Sequence, residues 1–115
     1  MSLAIHEQEV GGVTVVRAAG RLTLSDSNGA LKNAINAVVD QGRTRVVLNL
    51  EGVPYVDSSG LGEIASAHVT VSRMGGTMLL AAVGDRVMQA LTVTKLMRVL
   101  TAAPTEADAV KKLQP

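Results

Sequence analysis

The chain has 115 residues and a formal net charge of +1, with no cysteine, phenylalanine or tryptophan and a single tyrosine. This length is typical of one domain, so we assign residues 1–115 to a single domain. Without cysteine the chain has no disulfides and no thiolate ligands, and we expect neither a metal ion nor a cofactor. The balanced charge and the lack of aromatic stacking platforms argue against direct binding of nucleic acid.

The N-terminal segment carries His6, Glu7 and Glu9 instead of a basic head followed by an apolar run, so the sequence predicts no signal peptide. The longest apolar stretches, such as residues 78–83, are much shorter than the ~20 residues of a membrane-spanning helix. The absence of cysteine is compatible with a reducing compartment. These features favour a cytoplasmic protein without a membrane span.

The chain is expected to begin with a β-hairpin, followed by a helix. Residues 3–9 alternate weakly, Gly11-Gly12 is a two-residue turn signal, and a β-branched run follows at residues 13–16. Side chains at residues 25–28 are suited to capping the next helix. That helix is predicted by apolar residues at helical spacing and ends at Gly42. The apolar positions are Leu31, Ala34, Ile35, Val38 and Val39.

The remaining segments continue an alternation of strands and helices. Residues 46–50 form a nearly unbroken branched apolar run, which is typical of a central strand covered on both faces. The next predicted elements are a helix from about Asp57 to Gly75-Gly76, a strand over residues 77–83, a short helix capped by Asp85 and a last helix from about Thr105. This order predicts an α/β domain whose mixed sheet of four or five strands packs with about four helices.

The most informative stretch is the corner between the central strand and the second helix, residues 57–62, where small polar residues and glycines concentrate. One interpretation is structural: Asp57, Ser58 or Ser59 caps the helix, and the glycines permit the bend. The other is functional, because the free N–H groups of a helix start favour an anion such as phosphate. Gly62 weakens the helix, which suggests a close approach by a partner or by another part of the domain.

Tyr55, the only aromatic residue, lies between Pro54 and Val56 just before this corner. Its hydroxyl group would lie near the motif if the ring faced outward. The favoured interpretation is a ring that faces the core and keeps only its polar tip at the surface.

The corner resembles a known family. The run Asp57-Ser58-Ser59-Gly60-Leu61-Gly62, after the strand at residues 46–50, is similar to the signature of STAS domains, specifically of bacterial anti-sigma factor antagonists. Gly20-Arg21-Leu22 resembles the early turn of that family, and Gly75-Gly76 resembles the glycine pair before its next strand. Residues 87–99 are similar to its later helix and strand, so the resemblance covers nearly the whole chain.

The resemblance implies a regulatory role in transcription. An unphosphorylated antagonist of this family binds an anti-sigma factor that is also a serine kinase, and thereby releases the sigma factor. Phosphorylation of the motif serine ends the binding, and a serine phosphatase restores the active form. Carried over residue by residue, the phosphoacceptor is Ser58. The expected partner-binding residues are Asp57, Ser58, Ser59, Gly60, Leu61 and Gly62.

Two other functions compete with this one. A hydrolase that used Ser58 needs a base within hydrogen-bond reach, and the sequence lacks a Gly-x-Ser-x-Gly nucleophile elbow. His68 would lie ~15 Å along the helix from Ser58, so we expect no enzyme activity. The alternative that stays open is a STAS domain used as a constitutive assembly module of a transporter or of a stressosome-like complex.

Overall fold

The structure is a computed structural model that describes residues 3–115, so Met1 and Ser2 of the predicted domain lie outside the described residues. The strands are β1 (Ala4–Val10), β2 (Val13–Ala19), β3 (Arg45–Gly52), β4 (Thr77–Ala81) and β5 (Ala102–Ala103). The α-helices are α1 (Leu24–Ser27), α2 (Ala30–Asp40), α3 (Ser58–Arg73), α4 (Asp85–Val93) and α5 (Glu106–Leu113), and a 3₁₀ turn spans Leu96–Arg98. In this part of the chain, no helix combines the length and the apolar character that crossing a membrane requires.

The strands form a mixed sheet in sequence order, β1 to β5. β1 pairs antiparallel with β2 through the predicted hairpin, whose turn residues Gly11 and Gly12 have φ angles of +58° and +84°. Glycine adopts these left-handed conformations at no steric cost, which is why the dipeptide makes a tight turn. β2, β3, β4 and β5 run parallel, as strands joined by helices usually do. The predicted hairpin and mixed sheet are confirmed.

Helices cover both faces of the sheet. α2, α3 and α4 pack on one face, where Leu48 of the sheet, Ile35 of α2 and Ile64 of α3 are fully buried. α5 covers the other face through residues such as Ala109. β3 lies between β2 and β4 with helices on both sides, and residues 46–50 are all buried. This confirms the central strand and explains its apolar run, because both of its faces contribute to the core.

The start of α2 differs from the expectation. Thr23 caps α1 by accepting a backbone hydrogen bond, whereas no side chain at residues 25–28 caps α2. The cap position of α2 is Gly29, and the N–H of Lys32 in its first turn donates to Glu63 Oε1 on α3 (3.2 Å). The predicted local cap is therefore wrong, because a carboxylate from a neighbouring helix satisfies the N-terminus of α2.

The elements after α3 depart from the prediction in three details. β4 ends at Ala81, before the predicted end, because Ala82 has a left-handed backbone with φ of +53°. Asp85 is the first residue of α4 and not its cap. The strand expected within residues 87–99 is not there, since a 3₁₀ turn follows α4 and β5 lies further along the chain. The last helix is confirmed, and Thr105 caps it.

Candidate functional site

The predicted corner lies between β3 and α3, at the carboxyl end of the central strand. This edge is where parallel α/β sheets usually place their sites. A parallel bridge between Leu22 and Val56 ties the corner to the segment that follows β2. Two backbone bonds extend this pairing: Leu22 N donates to Tyr55 O (3.0 Å), and Asp57 N donates to Leu22 O (3.3 Å). Main-chain hydrogen bonds therefore hold the corner in place.

Asp57 joins the starts of two helices. Its Oδ1 accepts a hydrogen bond from Gly60 N (2.8 Å) and caps α3, while its Oδ2 accepts one from Leu24 N (3.0 Å) at the first residue of α1. These bonds, the one from Leu24 foremost, hold the pKa of Asp57 below its ordinary value because they stabilise the carboxylate. Of the three candidate caps, Asp57 is the one that caps α3. Both of its oxygens bind the protein's own backbone, so this side chain positions the site.

The two glycines of the motif have different surroundings. Gly60 is buried, and a Cβ there would overlap the carbonyl oxygen of Leu22. The first turn of α3 and the segment at Leu22 therefore touch through their backbones, which a side chain would prevent. Gly62 is exposed, and a Cβ there would meet no atom within 4 Å. Packing within the described chain explains Gly60 and does not explain Gly62.

Ser58 is exposed at the first position of α3, and within residues 3–115 its hydroxyl group makes no side-chain hydrogen bond. Ser59 and Leu61 are partly buried beside it. Ser58 and Gly62 are four residues apart and share the outward face of α3 with the exposed Val69. The structure thus brings the predicted residues together at one helix start. The hydroxyl group of Ser58 and the backbone of Gly62 are exposed to solvent there.

Sequence reasoning missed Leu24, which lies beside the motif on α1. Its N–H bonds to Asp57, and its side chain is 68% exposed. An exposed large apolar residue next to a site is a typical anchor for a protein partner. The one available signal was its closeness to the Gly20-Arg21-Leu22 turn, because the local pattern does not show which way the side chain faces.

Tyr55 does not face the core. The residue is 37% exposed, and its ring lies beside two guanidinium groups, with Cζ of Arg21 at 5.7 Å and Cζ of Arg86 at 5.2 Å from the ring centroid. The preference for a core-facing ring is therefore wrong. Cation–π attraction to arginines from two distant parts of the chain favours a ring at the surface.

Comparison with known proteins decides the family. The STAS domain model matches residues 4–109, which is most of the chain. The chain belongs to the STAS domain family. The resemblance to STAS domains is thereby confirmed, and the α/β fold agrees with the one that the order of predicted strands and helices indicated.

Several proteins similar to this STAS domain are named anti-sigma factor antagonists. It is 27% identical over 114 residues to an anti-sigma F factor antagonist of Paenibacillus polymyxa, with 99% of this chain and 97% of that protein covered. It is 25% identical to the solved anti-sigma factor antagonist from Mycobacterium paratuberculosis, with a TM-score of 0.87 and coverage of 99% and 96%. The phosphorylated form of SpoIIAA from Bacillus shares the fold at 21% identity, with a TM-score of 0.72 and coverage of 95% and 98%. The STAS chain is thus similar to proteins named anti-sigma factor antagonists, as its motif predicted.

Proposed function

We propose that this STAS domain is a phosphorylation-controlled antagonist. Its unphosphorylated form binds an anti-sigma factor that is also a serine kinase, and phosphorylation of Ser58 ends that binding. Asp57 and Gly60 hold the contact residues in place through the cap and the close packing described above. The docking surface consists of Leu24, Ser58, Ser59, Leu61 and Gly62.

The observation that supports this proposal most is the exposure of Ser58 at a helix start whose cap is supplied by another residue. If Ser58 were the cap of α3, its hydroxyl group would be occupied and its modification would destabilise the helix. Because Asp57 performs that function, a kinase can reach the hydroxyl group of Ser58 without unfolding the corner. The same exposure places Ser58 under any partner that covers the outward face of α3.

The phosphate has opposite consequences in the free and the bound protein. In the free protein, the dianion lies at the N-terminus of α3, where the helix dipole favours negative charge, so the fold persists. In the complex, the partner would have to bury this charge beside the carboxylate of Asp57. A penalty of ~4 kcal/mol is enough to weaken binding about a thousandfold. The switch therefore acts on the interface and leaves the fold unchanged.

The cycle also needs a step that removes the phosphate. A phosphate monoester of serine hydrolyses extremely slowly in water, so spontaneous reversal cannot restore the active form. We assign this step to a serine phosphatase, which can reach the exposed Ser58 in the free protein. Incubating the phosphorylated protein with candidate phosphatases should restore both the unmodified mass and the affinity for the anti-sigma factor.

The test is peptide mass spectrometry after incubation with ATP, Mg²⁺ and each anti-sigma factor kinase of the source organism. We expect one phosphoryl group on Ser58 in the wild type and none in Ser58→Ala. Ser59→Ala is the matched control, because it removes the neighbouring hydroxyl group and should still be phosphorylated. Calorimetric titration before and after the reaction should show tight binding that modification abolishes.

Two results would contradict the proposal. Phosphorylation at Ser59 or elsewhere would show that the motif serine was assigned wrongly. No binding and no modification by any of the kinases would favour the constitutive assembly module, whose contacts do not depend on Ser58.

A further inference from the structure

A second surface feature adjoins the docking surface. Arg21, Pro54, Tyr55 and Arg86 line a shallow groove of about 480 Å³. Both arginines lie over the ring of Tyr55, with the guanidinium carbon of Arg21 5.7 Å and that of Arg86 5.2 Å from the ring centroid. The lining includes two positive charges and no carboxylate, so the groove is suited to a negatively charged group.

The positive charges of this groove are incompletely neutralised by the protein itself. Arg21 forms a long ion pair, from Nε to Asp26 Oδ2 at 3.7 Å, and its side chain is mostly exposed. Arg86 is exposed, and within residues 3–115 no carboxylate lies within ion-pair distance of it. Stacking on an aromatic ring restrains a guanidinium group while its N–H groups stay available, which lowers the entropy lost when a carboxylate binds.

The groove and the docking surface share their backbone. Leu22 N donates to Tyr55 O, and Leu22 O accepts from Asp57 N at the start of α3. A second depression continues from Tyr55 and Arg86 along α4 to the exposed Val93. A partner that covers Ser58 would therefore extend over the groove without crossing a gap in the surface.

We infer that the groove binds an acidic side chain of the anti-sigma factor through the N–H groups of Arg86 and Arg21, whose guanidinium groups lie over the ring of Tyr55. This inference rests on the proposed function and adds the chemistry of the partner's contact. Charge complementarity supports it, because an aspartate or glutamate is the protein side chain that two incompletely neutralised guanidinium groups favour. Arg21 and Arg86 determine which anti-sigma factors bind, since they would repel a basic side chain of the partner in the groove.

The experiment measures binding of the anti-sigma factor kinase that phosphorylates the wild type in the assay above. Arg86→Glu should weaken binding by at least ~tenfold, because charge reversal replaces an attraction with a repulsion. Arg86→Lys should weaken binding less, since lysine keeps the positive charge but lacks the planar guanidinium group that binds a carboxylate with two N–H groups. A glutamate at the second position of α4 suits the helix dipole, so the variant should fold normally.

Lys112→Glu is the matched control. It makes the same change in net charge on α5, at an exposed position on the other face of the sheet. We expect it to leave the affinity within about twofold of the wild type, because a screened remote charge contributes little. The loss of affinity caused by Arg86→Glu should be smaller at high salt. One Glu→Arg or Asp→Arg substitution on the kinase should restore the affinity.

The outcomes separate this inference from the proposed function. If the wild type binds the kinase and Arg86→Glu binds equally well, the groove is not part of the interface and only the inference fails. If the wild type binds none of the kinases, both fail. Chemical-shift changes around Tyr55 that inorganic phosphate causes on its own, with kinase affinity unchanged in Arg86→Glu, would reassign the groove to a small anion and overturn the inference.

Discussion

Two carboxylates in different regions of the molecule, Glu106 at the start of α5 and Asp57 at the corner before α3, bind different kinds of partner. Beneath α5, Arg17 donates two hydrogen bonds of 2.8 Å to Glu106, and Asn49 donates a third of 2.9 Å. At the corner before α3, Asp57 also accepts two short bonds, but both come from backbone N–H groups. In the cluster under α5 the side chains form hydrogen bonds with one another, whereas at the corner Ser58 faces solvent.

This difference shows how a rigid site is kept accessible. The bond from Arg17 is the main reason why the pKa of Glu106 lies below its ordinary value, and it fixes α5 against the strands. A carboxylate that binds only backbone, like Asp57, stiffens a corner without covering it. A phosphorylation switch requires a corner that is held by backbone hydrogen bonds, because the phosphate acceptor must have a fixed place and stay within reach of a kinase.

The largest expected effect comes from placing a charge at the accessible corner. Ser58→Asp should weaken binding of the anti-sigma factor by roughly hundredfold, since an unpaired charge buried in an interface costs ~3 kcal/mol or more. Ser58→Asn has nearly the same size without the charge and should bind much more tightly than Ser58→Asp. Calorimetric titration of both variants measures the difference. Equal affinities would show that size, and not charge, controls binding.

The paired glycines test which part of the corner is packed and which is open. Gly60→Ala should lower the free energy of unfolding by ~1–3 kcal/mol, because its methyl group meets the backbone of Leu22. Gly62→Ala should raise it by up to about 1 kcal/mol, because alanine is the better helix former. We still expect Gly62→Ala to bind the anti-sigma factor more weakly. Urea unfolding and titration of both variants check this, and tighter binding by Gly62→Ala would mean that no partner approaches there.

Leu24 tests whether the accessible corner includes α1. Leu24→Ala should weaken binding about tenfold, as expected for an apolar interface anchor, and change the free energy of unfolding by less than about 0.5 kcal/mol. Met74→Ala is the matched control, since Met74 is 58% exposed but lies at the other end of α3, ~24 Å along the helix from Ser58. Surface plasmon resonance compares the two. An equal loss in both variants would remove Leu24 from the docking surface.

The smallest expected effect is the acid sensitivity of the two carboxylates. Both have a folded-state pKa below the ordinary values of 3.8 for Asp57 and 4.5 for Glu106. Each therefore stabilises the fold above its ordinary pKa, and the contribution disappears as the pH falls through the lower folded-state pKa. Urea unfolding between pH 7 and 3 should show a smaller decline for Asp57→Asn and Glu106→Gln than for the wild type. Identical slopes would show that neither carboxylate is linked to folding.

Much of the fold was predictable because its signals are local. The Gly11-Gly12 turn, the apolar stripe of α2 and the branched run of β3 each depend on the spacing of a few neighbouring residues. The errors arose where a distant residue decides the outcome. Side chains at residues 25–28 are good caps, yet α2 is capped by Glu63 from another helix. Likewise, no local pattern brings Arg21 and Arg86 over the ring of Tyr55.

The sequence alone predicted where the candidate site lies, because residues 57–62 combine a capping side chain, hydroxyl groups and glycines at a strand-to-helix corner. Only the tertiary structure decided which of these residues stabilise the corner and which are exposed. Gly60 and Gly62 are the same residue type on the same helix turn, and contact with Leu22 alone distinguishes them. Exposure depends on which elements pack together, and such long-range contacts leave no trace in local spacing.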